Sequence, residues 1–226
     1  VAVDARHALP VPERVGLPAA GGVVEVWLTA YLNLSELGGL RAGERVLVHG
    51  GSGGVGTAAI QWARAEGAEV WTTASAAKLA RLRELGAARA LDYRAEDFAA
   101  ELRAAGGADL ILDCIGAKYL DANLRALRPD GRLVVIGLQG GTKAELDLGR
   151  LLTRRIRLIG STLRALDAER KAGLIERFRA RVWPGLASGE LRPLVHHTFP
   201  LSEAAEAHRL LEGGEVFGKL ILTSEG

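Results

Sequence analysis

Residues 45–56 read Arg-Val-Leu-Val-His-Gly-Gly-Ser-Gly-Gly-Val-Gly, and no other segment restricts the fold as sharply. An apolar, β-branched run meets a cluster of glycines, and a helical pattern follows from Gly56 to Glu66. Gly51, Gly53 and Gly56 have the spacing GxGxxG between a predicted strand at 45–49 and that helix. The first glycine permits a tight turn, the second lets backbone approach a pyrophosphate, and the third lets helix pack on strand. Free amides at the helix start then offer an anion site. A second apolar strand at 69–73 completes a βαβ unit, the context that makes a common glycine pattern specific.

The same alternation continues. Predicted strands follow at 89–93, 109–114, 132–136 and 157–159, with predicted helices at 76–85, 95–105 and 119–127 between them. The rhythm predicts an α/β fold, a doubly wound parallel sheet of the Rossmann type. Val46-Leu47-Val48, Leu110-Ile111-Leu112 and Leu133-Val134-Val135-Ile136 are continuous apolar runs, as strands covered on both faces require. The ends differ: 1–20 is rich in Pro and Gly without helical period, while 192–199 and 219–223 read as strands flanking a helix at 202–212. These short elements read as the edges of a second domain. The chain has no methionine, so Val1 is not an ordinary start, and either a trimmed methionine or a larger segment is expected ahead of it.

Charge and cysteine content exclude several classes. The 29 basic and 27 acidic residues are spread evenly for a net charge of +2, so no basic stripe arises and no nucleic-acid partner is expected. No apolar stretch reaches the length of a membrane span, so no membrane partner is expected either. The single cysteine, Cys114, excludes an internal disulfide and a cysteine-cluster zinc site, and a cytoplasmic setting is expected. Trp27, Trp62, Trp71 and Trp183 read as packing residues, with Trp62 and Trp71 flanking the cofactor groove. Arg154-Arg155-Ile156-Arg157 reads as a solvated basic edge, and His196, His197 and His208 lack metal-site spacing.

Cofactor choice is legible after the second strand. An NAD site of this type places Asp or Glu about 20 residues past the glycine loop, on the ribose 2′-hydroxyl. Here that place reads Thr72-Thr73-Ala74-Ser75-Ala76-Ala77-Lys78, without a carboxylate. The Ser75 hydroxyl and the Lys78 charge suit the extra 2′-phosphate of NADPH, and they count against a methyltransferase that would keep an acid there.

With these stretches, Trp27-Leu28-Thr29-Ala30-Tyr31, Arg41 to Gln61, Lys78 with Leu85-Gly86-Ala87, and Asp92 to Phe98, the sequence resembles the medium-chain dehydrogenase/reductase superfamily. Asp113-Cys114-Ile115-Gly116, Asp130-Gly131-Arg132 and Phe217-Gly218-Lys219 extend the likeness, which is to the zinc-independent quinone oxidoreductases related to zeta-crystallin. The resemblance implies that Gly53, Gly54 and Val55 touch the pyrophosphate in a turn shaped by Gly51 and Gly56. It places Ser75, Lys78 and Tyr93 around the 2′-phosphate, and Thr29, Cys114, Ile136, Gly137, Leu163, Arg164 and Lys219 along the rest of the cofactor groove. His49 is implied to be a strand-end residue outside the chemistry, and Cys114 a small core residue rather than a nucleophile. A cofactor domain at 25–190 is implied, with 1–24 and 191–226 as remnants of a GroES-like catalytic domain.

The implied reaction is hydride transfer from NADPH to a quinone or related α,β-unsaturated carbonyl, without zinc. A reduced quinone can take its protons from water, so no catalytic acid or base is expected in the chain. A homodimer joined through the sixth strand, at 157–163, is implied as well. Two alternatives stay open: an enoyl-thioester reductase of the same superfamily, and a non-catalytic NADPH-binding protein.

Overall fold

In the computed structural model, which describes residues 2–224, each of the six strands expected between 45 and 159 is present. In chain order the elements begin α1 (Leu17–Ala20), α2 (Val24–Tyr31), β1 (Arg45–Val48), α3 (Gly54–Ala65), β2 (Glu69–Ala74), α4 (Leu79–Glu84), β3 (Arg89–Asp92), α5 (Phe98–Ala104) and β4 (Ala108–Asp113). They continue with α6 (Leu120–Ala126), β5 (Leu127–Val135), α7 (Leu148–Arg154), β6 (Arg157–Gly160), α8 (Ala168–Ser188), β7 (Val195–Pro200), α9 (Ala204–Glu212) and β8 (Lys219–Thr223). No helix among the described residues is long and apolar enough to cross a membrane.

The chain divides into two compact units. The larger comprises Leu32–Gly51 and Ala59–Thr162. Its six strands are all parallel, in the order β3-β2-β1-β4-β5-β6, which is the doubly wound arrangement expected from the alternation. Val46, Leu47 and Val48 of β1 and Leu110, Ile111 and Leu112 of β4 are all buried, so both faces of the central strands are covered. On one face Leu47, Leu91, Ile111 and Leu133 pack with Phe98 and Leu102 of α5 and Leu124 of α6.

Two element boundaries differ from expectation for local reasons. Helix α5 starts at Phe98 rather than near 95, because the Asp97 carboxylate accepts the Ala99 and Ala100 N–H groups and fixes the N-cap there. Strand β5 begins at Leu127, opposite Ala108, and its register then shifts around Asp130, whose φ is 65°. The strand resumes at Arg132, which is buried and pairs with both oxygens of Glu44 at 2.7–2.8 Å. Further bonds run from its guanidinium to the carbonyls of Gly38, Gly39 and Asp109, which ties the segment before β1 to the sheet. Gly38 closes a π-helical turn at Leu32–Leu37, where a Cβ would lie 2.6 Å from the Asn33 carbonyl.

The smaller unit gathers the chain up to Tyr31, Ser52–Ala58 and the chain from Leu163 on. Strands β7 and β8 form a parallel pair linked through α9, so the expected strand–helix–strand at the end of the chain is present. Helix α8, 21 residues long, is absent from the predicted set. Its buried residues Ala172, Ile175, Phe178, Val182 and Leu186 have helical spacing, but Gly173, Pro184 and Gly185 interrupt the pattern. Phe178 meets Tyr31 of α2 edge to face at 5.9 Å. Ahead of α2, Arg6 pairs with Glu169 at 2.6 Å and tethers the start of the chain to α8.

Candidate functional site

Parallel strands share one carboxyl edge, and ligands of open α/β sheets sit outside it where the strand order reverses, here beside β1. In the larger unit, β1 leads at that edge into Gly50, whose φ of 65° suits glycine, and then into Gly51. A Cβ on Gly51 would overlap Thr72 Oγ1, whose hydroxyl donates to the Val48 carbonyl at 2.7 Å. Gly51 N–H in turn donates to Thr73 O at 3.0 Å. The first glycine is therefore required by its packing on β2.

His49 lies just behind this turn. Its Nε2 is 2.8 Å from Asn123 Oδ1 and its Nδ1 2.9 Å from Thr73 Oγ1. An amide oxygen only accepts, so Nε2 carries the proton and Nδ1 accepts from the threonine hydroxyl. Phe98 and Tyr119 pack on the ring at 4.8 and 4.9 Å. Burial pulls the imidazole down to about 4, against the opposing effect of the Asn123 bond, so His49 is neutral near pH 7. Its depressed value makes a stabilising contribution that is complete above the ordinary 6.5 and is lost as pH falls toward about 4. In an NMR titration the His49 ring should stay neutral at pH 5.5; protonation near 6.5 would contradict the buried network.

At the end of β2, Ser75 is extended with no side-chain cap bond, and Lys78 N–H closes a short turn on Ser75 O at 2.9 Å. Tyr93 N–H donates to Ala74 O at 3.2 Å, which sets Tyr93 next to Ser75. Residues 72–78 carry no carboxylate. The nearest acid in register is Asp92, opposite Ala74, and its carboxylate accepts the Arg94 N–H at 3.1 Å.

The loops after β4 and β5 run together past the sheet. Ile136 N–H donates to Asp113 O, and Gly140 N–H to Ile115 O, at 2.8 and 2.7 Å. A Cβ on Gly137 would come within 2.8 Å of the Cys114 carbonyl, so glycine permits this close backbone strip. The Cys114 thiol is pushed up to about 11 by burial, reinforced by neighbouring Asp113, which fits a packing role rather than a nucleophile. Burial also raises the Asp113 carboxyl, opposed by the Ile115 and Gly116 N–H groups it accepts. Gly51, Ser75, Lys78, Tyr93, Cys114, Ile136 and Gly137 thus all stand at one edge of one sheet.

In the smaller unit Gly53, Gly54, Val55 and Gly56 open α3. The first helical bond there runs from Thr57 N–H to Gly53 O at 2.9 Å, so the amides of Gly54, Val55 and Gly56 precede the helical ladder. Gly53 bridges to Gly218, and Gly218 N–H donates to Ser52 O at 2.8 Å. The stem of Lys219 lies on Gly54, where a Cβ would meet Lys219 Cδ at 2.5 Å and Val26 Cγ1 at 2.9 Å. Lys219 Nζ is 3.7 Å from Glu25 Oε2, and the Thr29 hydroxyl donates to Glu25 O at 2.7 Å. Thr29, the glycine turn and Lys219 are brought together in this way. Leu163 is half-buried and Arg164 exposed in a turn closed by Leu166 N–H on Leu163 O.

Trp71 departs from expectation. Its Nε1–H donates to Glu69, and Arg45 and Arg89 lie over its ring at 5.3 and 5.8 Å. Those partners begin β2, β1 and β3, so the indole sits toward the amino ends of the strands, away from the ligand edge. The basic run at 154–157 is partly engaged: Arg154 donates to Leu127 O, Arg155 pairs with Asp130, and Ile156 is buried. Thr72, Thr73 and Asn123 were not among the expected site residues; their signal is polarity at the end of a buried strand and inside a packed helix, where each needs a partner. No group of three or more His, Cys, Asp or Glu residues that could hold a metal occurs among the described residues.

Residues 54–180 match the zinc-binding dehydrogenase family. The chain belongs to the medium-chain dehydrogenase/reductase superfamily. Among solved members it is similar to a quinone oxidoreductase from Thermus thermophilus, determined with NADPH: 36% identity, TM-score 0.85, over 95% of this chain and 69% of that one. It is also similar to the JamJ enoyl reductase, at 32% identity and a TM-score of 0.83, over 94% of this chain and 64% of that one. A curated relative, the spectinabilin polyketide synthase system protein NorB of Streptomyces orinoci, is 38% identical over 224 residues, 97% of this chain and 10% of that protein. The chain therefore spans about a tenth of the length of the curated relatives it matches.

Proposed function

We propose that this protein binds NADPH and reduces a quinone or a related α,β-unsaturated carbonyl. The end of β2 carries the cofactor reading: the Tyr93–Ala74 bond sets Tyr93 next to Ser75, the Lys78 N–H closes a turn on Ser75 O, and no carboxylate stands in the place that would favour NADH. When bound, the nicotinamide supplies the hydride. In the larger unit, Ser75, Lys78 and Tyr93 hold the 2′-phosphate, Gly51 shapes the turn, and the backbone strip of Cys114, Ile136 and Gly137 excludes water from one side of the cofactor. In the smaller unit, the amides of Gly53, Gly54, Val55 and Gly56 hold the pyrophosphate as a helix N-terminus does. Thr29, Leu163, Arg164 and Lys219 line the remainder. No residue of the chain serves as a catalytic acid or base, and His49 stays neutral behind the turn.

Lys78→Ala should weaken NADPH about 10- to 100-fold, as removal of a charge-assisted contact does, while leaving NADH unchanged. Calorimetric titration reads both; equal losses would remove Lys78 from the 2′-phosphate.

The second reading, an enoyl-thioester reductase, draws support from the polyketide synthase relatives and the JamJ enoyl reductase. NADPH oxidation by the full-length protein, measured with a benzoquinone and with a crotonyl thioester, separates the two. Turnover of the quinone supports the first reading, turnover of the thioester the second, and tight NADPH binding with neither supports a non-catalytic role. We also keep metal independence, the cofactor domain at 25–190 and a homodimer as parts of this reading. Strand β6 supports the last, since it is bonded to β5 on one side only and exposes Leu158. A single-chain mass by light scattering would contradict the dimer.

A further inference from the structure

We propose that Arg94 is a second cation of the 2′-phosphate subsite and, with Lys78, sets the preference for NADPH over NADH. The inference rests on the cofactor reading above and adds a residue to it. The Tyr93–Ala74 backbone bond that draws Tyr93 to Ser75 draws Arg94 with it, and the Arg94 guanidinium carbon lies over the Tyr93 ring, 5.5 Å from its centroid. Both residues are exposed.

The acids around this turn are already engaged. Asp92 accepts the Arg94 backbone N–H, Glu96 accepts the Asp92 N–H at 2.7 Å, and Glu96 and Glu101 pair with Arg89. Among the described residues the Arg94 guanidinium pairs with no carboxylate, so its donors stay available to an anion.

Charge balance gives that donor set its role. A phosphate monoester carries about −1.5 to −2 at pH 7, more than a single lysine neutralises. Asp92 and Glu96 add negative charge close by, so Lys78 alone would leave the phosphate under-compensated. Arginine supplies the second charge in a planar fork that matches two phosphate oxygens, whereas lysine acts as a point charge. The contact with the Tyr93 ring holds the guanidinium on the residue whose backbone is bonded next to Ser75.

Titrating the wild-type protein, Arg94→Ala, Arg94→Lys and Lys78→Ala with NADPH and with NADH tests this. Arg94→Ala is expected to weaken NADPH roughly tenfold, as loss of a charge-assisted contact does, and to leave NADH unchanged. Arg94→Lys should fall between wild type and Arg94→Ala, since it keeps the charge and loses the fork. If Arg94→Ala leaves NADPH binding intact, or weakens both cofactors alike, while Lys78→Ala stays selective, the Arg94 assignment fails and the cofactor reading stands. A wild-type protein without NADPH preference overturns both.

Discussion

Replacing Arg132 with methionine is expected to remove about 3–5 kcal/mol of stability, the cost of breaking one partner out of a buried ion pair. That is a large share of the roughly 5–15 kcal/mol that holds a domain folded. Arg132 is 5% exposed and gives its guanidinium hydrogens to both Glu44 oxygens and to the carbonyls of Gly38, Gly39 and Asp109. Methionine fills part of the space but donates to none of these acceptors, and of the bonds to Glu44 only the Arg41 N–H, at 2.9 Å, is kept. Urea unfolding followed by circular dichroism measures the loss, and a change under 1 kcal/mol, roughly the worth of an exposed pair, would refute the buried-pair account. Arg132→Met with Glu44→Leu should recover most of the stability, because apolar pairs of similar volume replace buried ion pairs at little cost. The pair also leaves a pH signature. Burial pushes the Glu44 carboxyl up, but the Arg132 hydrogen bonds and the Arg41 N–H outweigh it and hold the carboxyl below its ordinary value. Its stabilisation is thus complete above the ordinary glutamate range and is lost as pH falls through the lowered value, a loss Arg132→Met should largely abolish.

Gly51→Ala should cost about 2–4 kcal/mol, from overpacking together with the buried hydrogen bond it displaces. The new methyl would overlap Thr72 Oγ1 and press on Ile60 Cδ1 at 3.2 Å, in a place where the Thr72 hydroxyl is committed to Val48 O. Neither neighbour can give freely, since both are buried in the packed sheet and helix. Gly160→Ala is the matched control, because a methyl there meets nothing within 4 Å. Equal thermal shifts for the two variants would contradict the packing account of the first glycine. Cofactor affinity should fall with Gly51→Ala as well, since the turn that presents the helix amides starts at that residue.

The parallel sheet was legible because its strands are short, apolar and separated by helical stretches, a signal that depends only on neighbouring residues. Val46 to Val48 and Leu110 to Leu112 are buried as their composition implies. The approach of Tyr93 to Ser75 was legible only through resemblance, and the bond that creates it joins Tyr93 to Ala74. Features governed by distant partners were not legible. Arg132 and Glu44 are 88 positions apart, and nothing near either residue signals that they pair. The early start of β5 depends on a turn at Asp130 with positive φ, which a Pro-Asp-Gly sequence suggests as a loop rather than an interrupted strand. Helix α8 was obscured by Gly173, Pro184 and Gly185 although its buried stripe runs intact to Leu186. Trp71 was placed by its apolar strand, while Glu69, Arg45 and Arg89 decide which end of the sheet its indole occupies.

Because Trp71 lies away from the ligand edge, heat rather than tryptophan emission is the suitable signal for cofactor binding. The most direct test is a parallel calorimetric titration of the protein with NADPH and NADH under one buffer and salt condition. The account predicts NADPH binding tighter by about 10- to 100-fold, the worth of charge-assisted contacts to the 2′-phosphate. Equal affinities, or a preference for NADH, would contradict the assignment of Ser75, Lys78 and Tyr93.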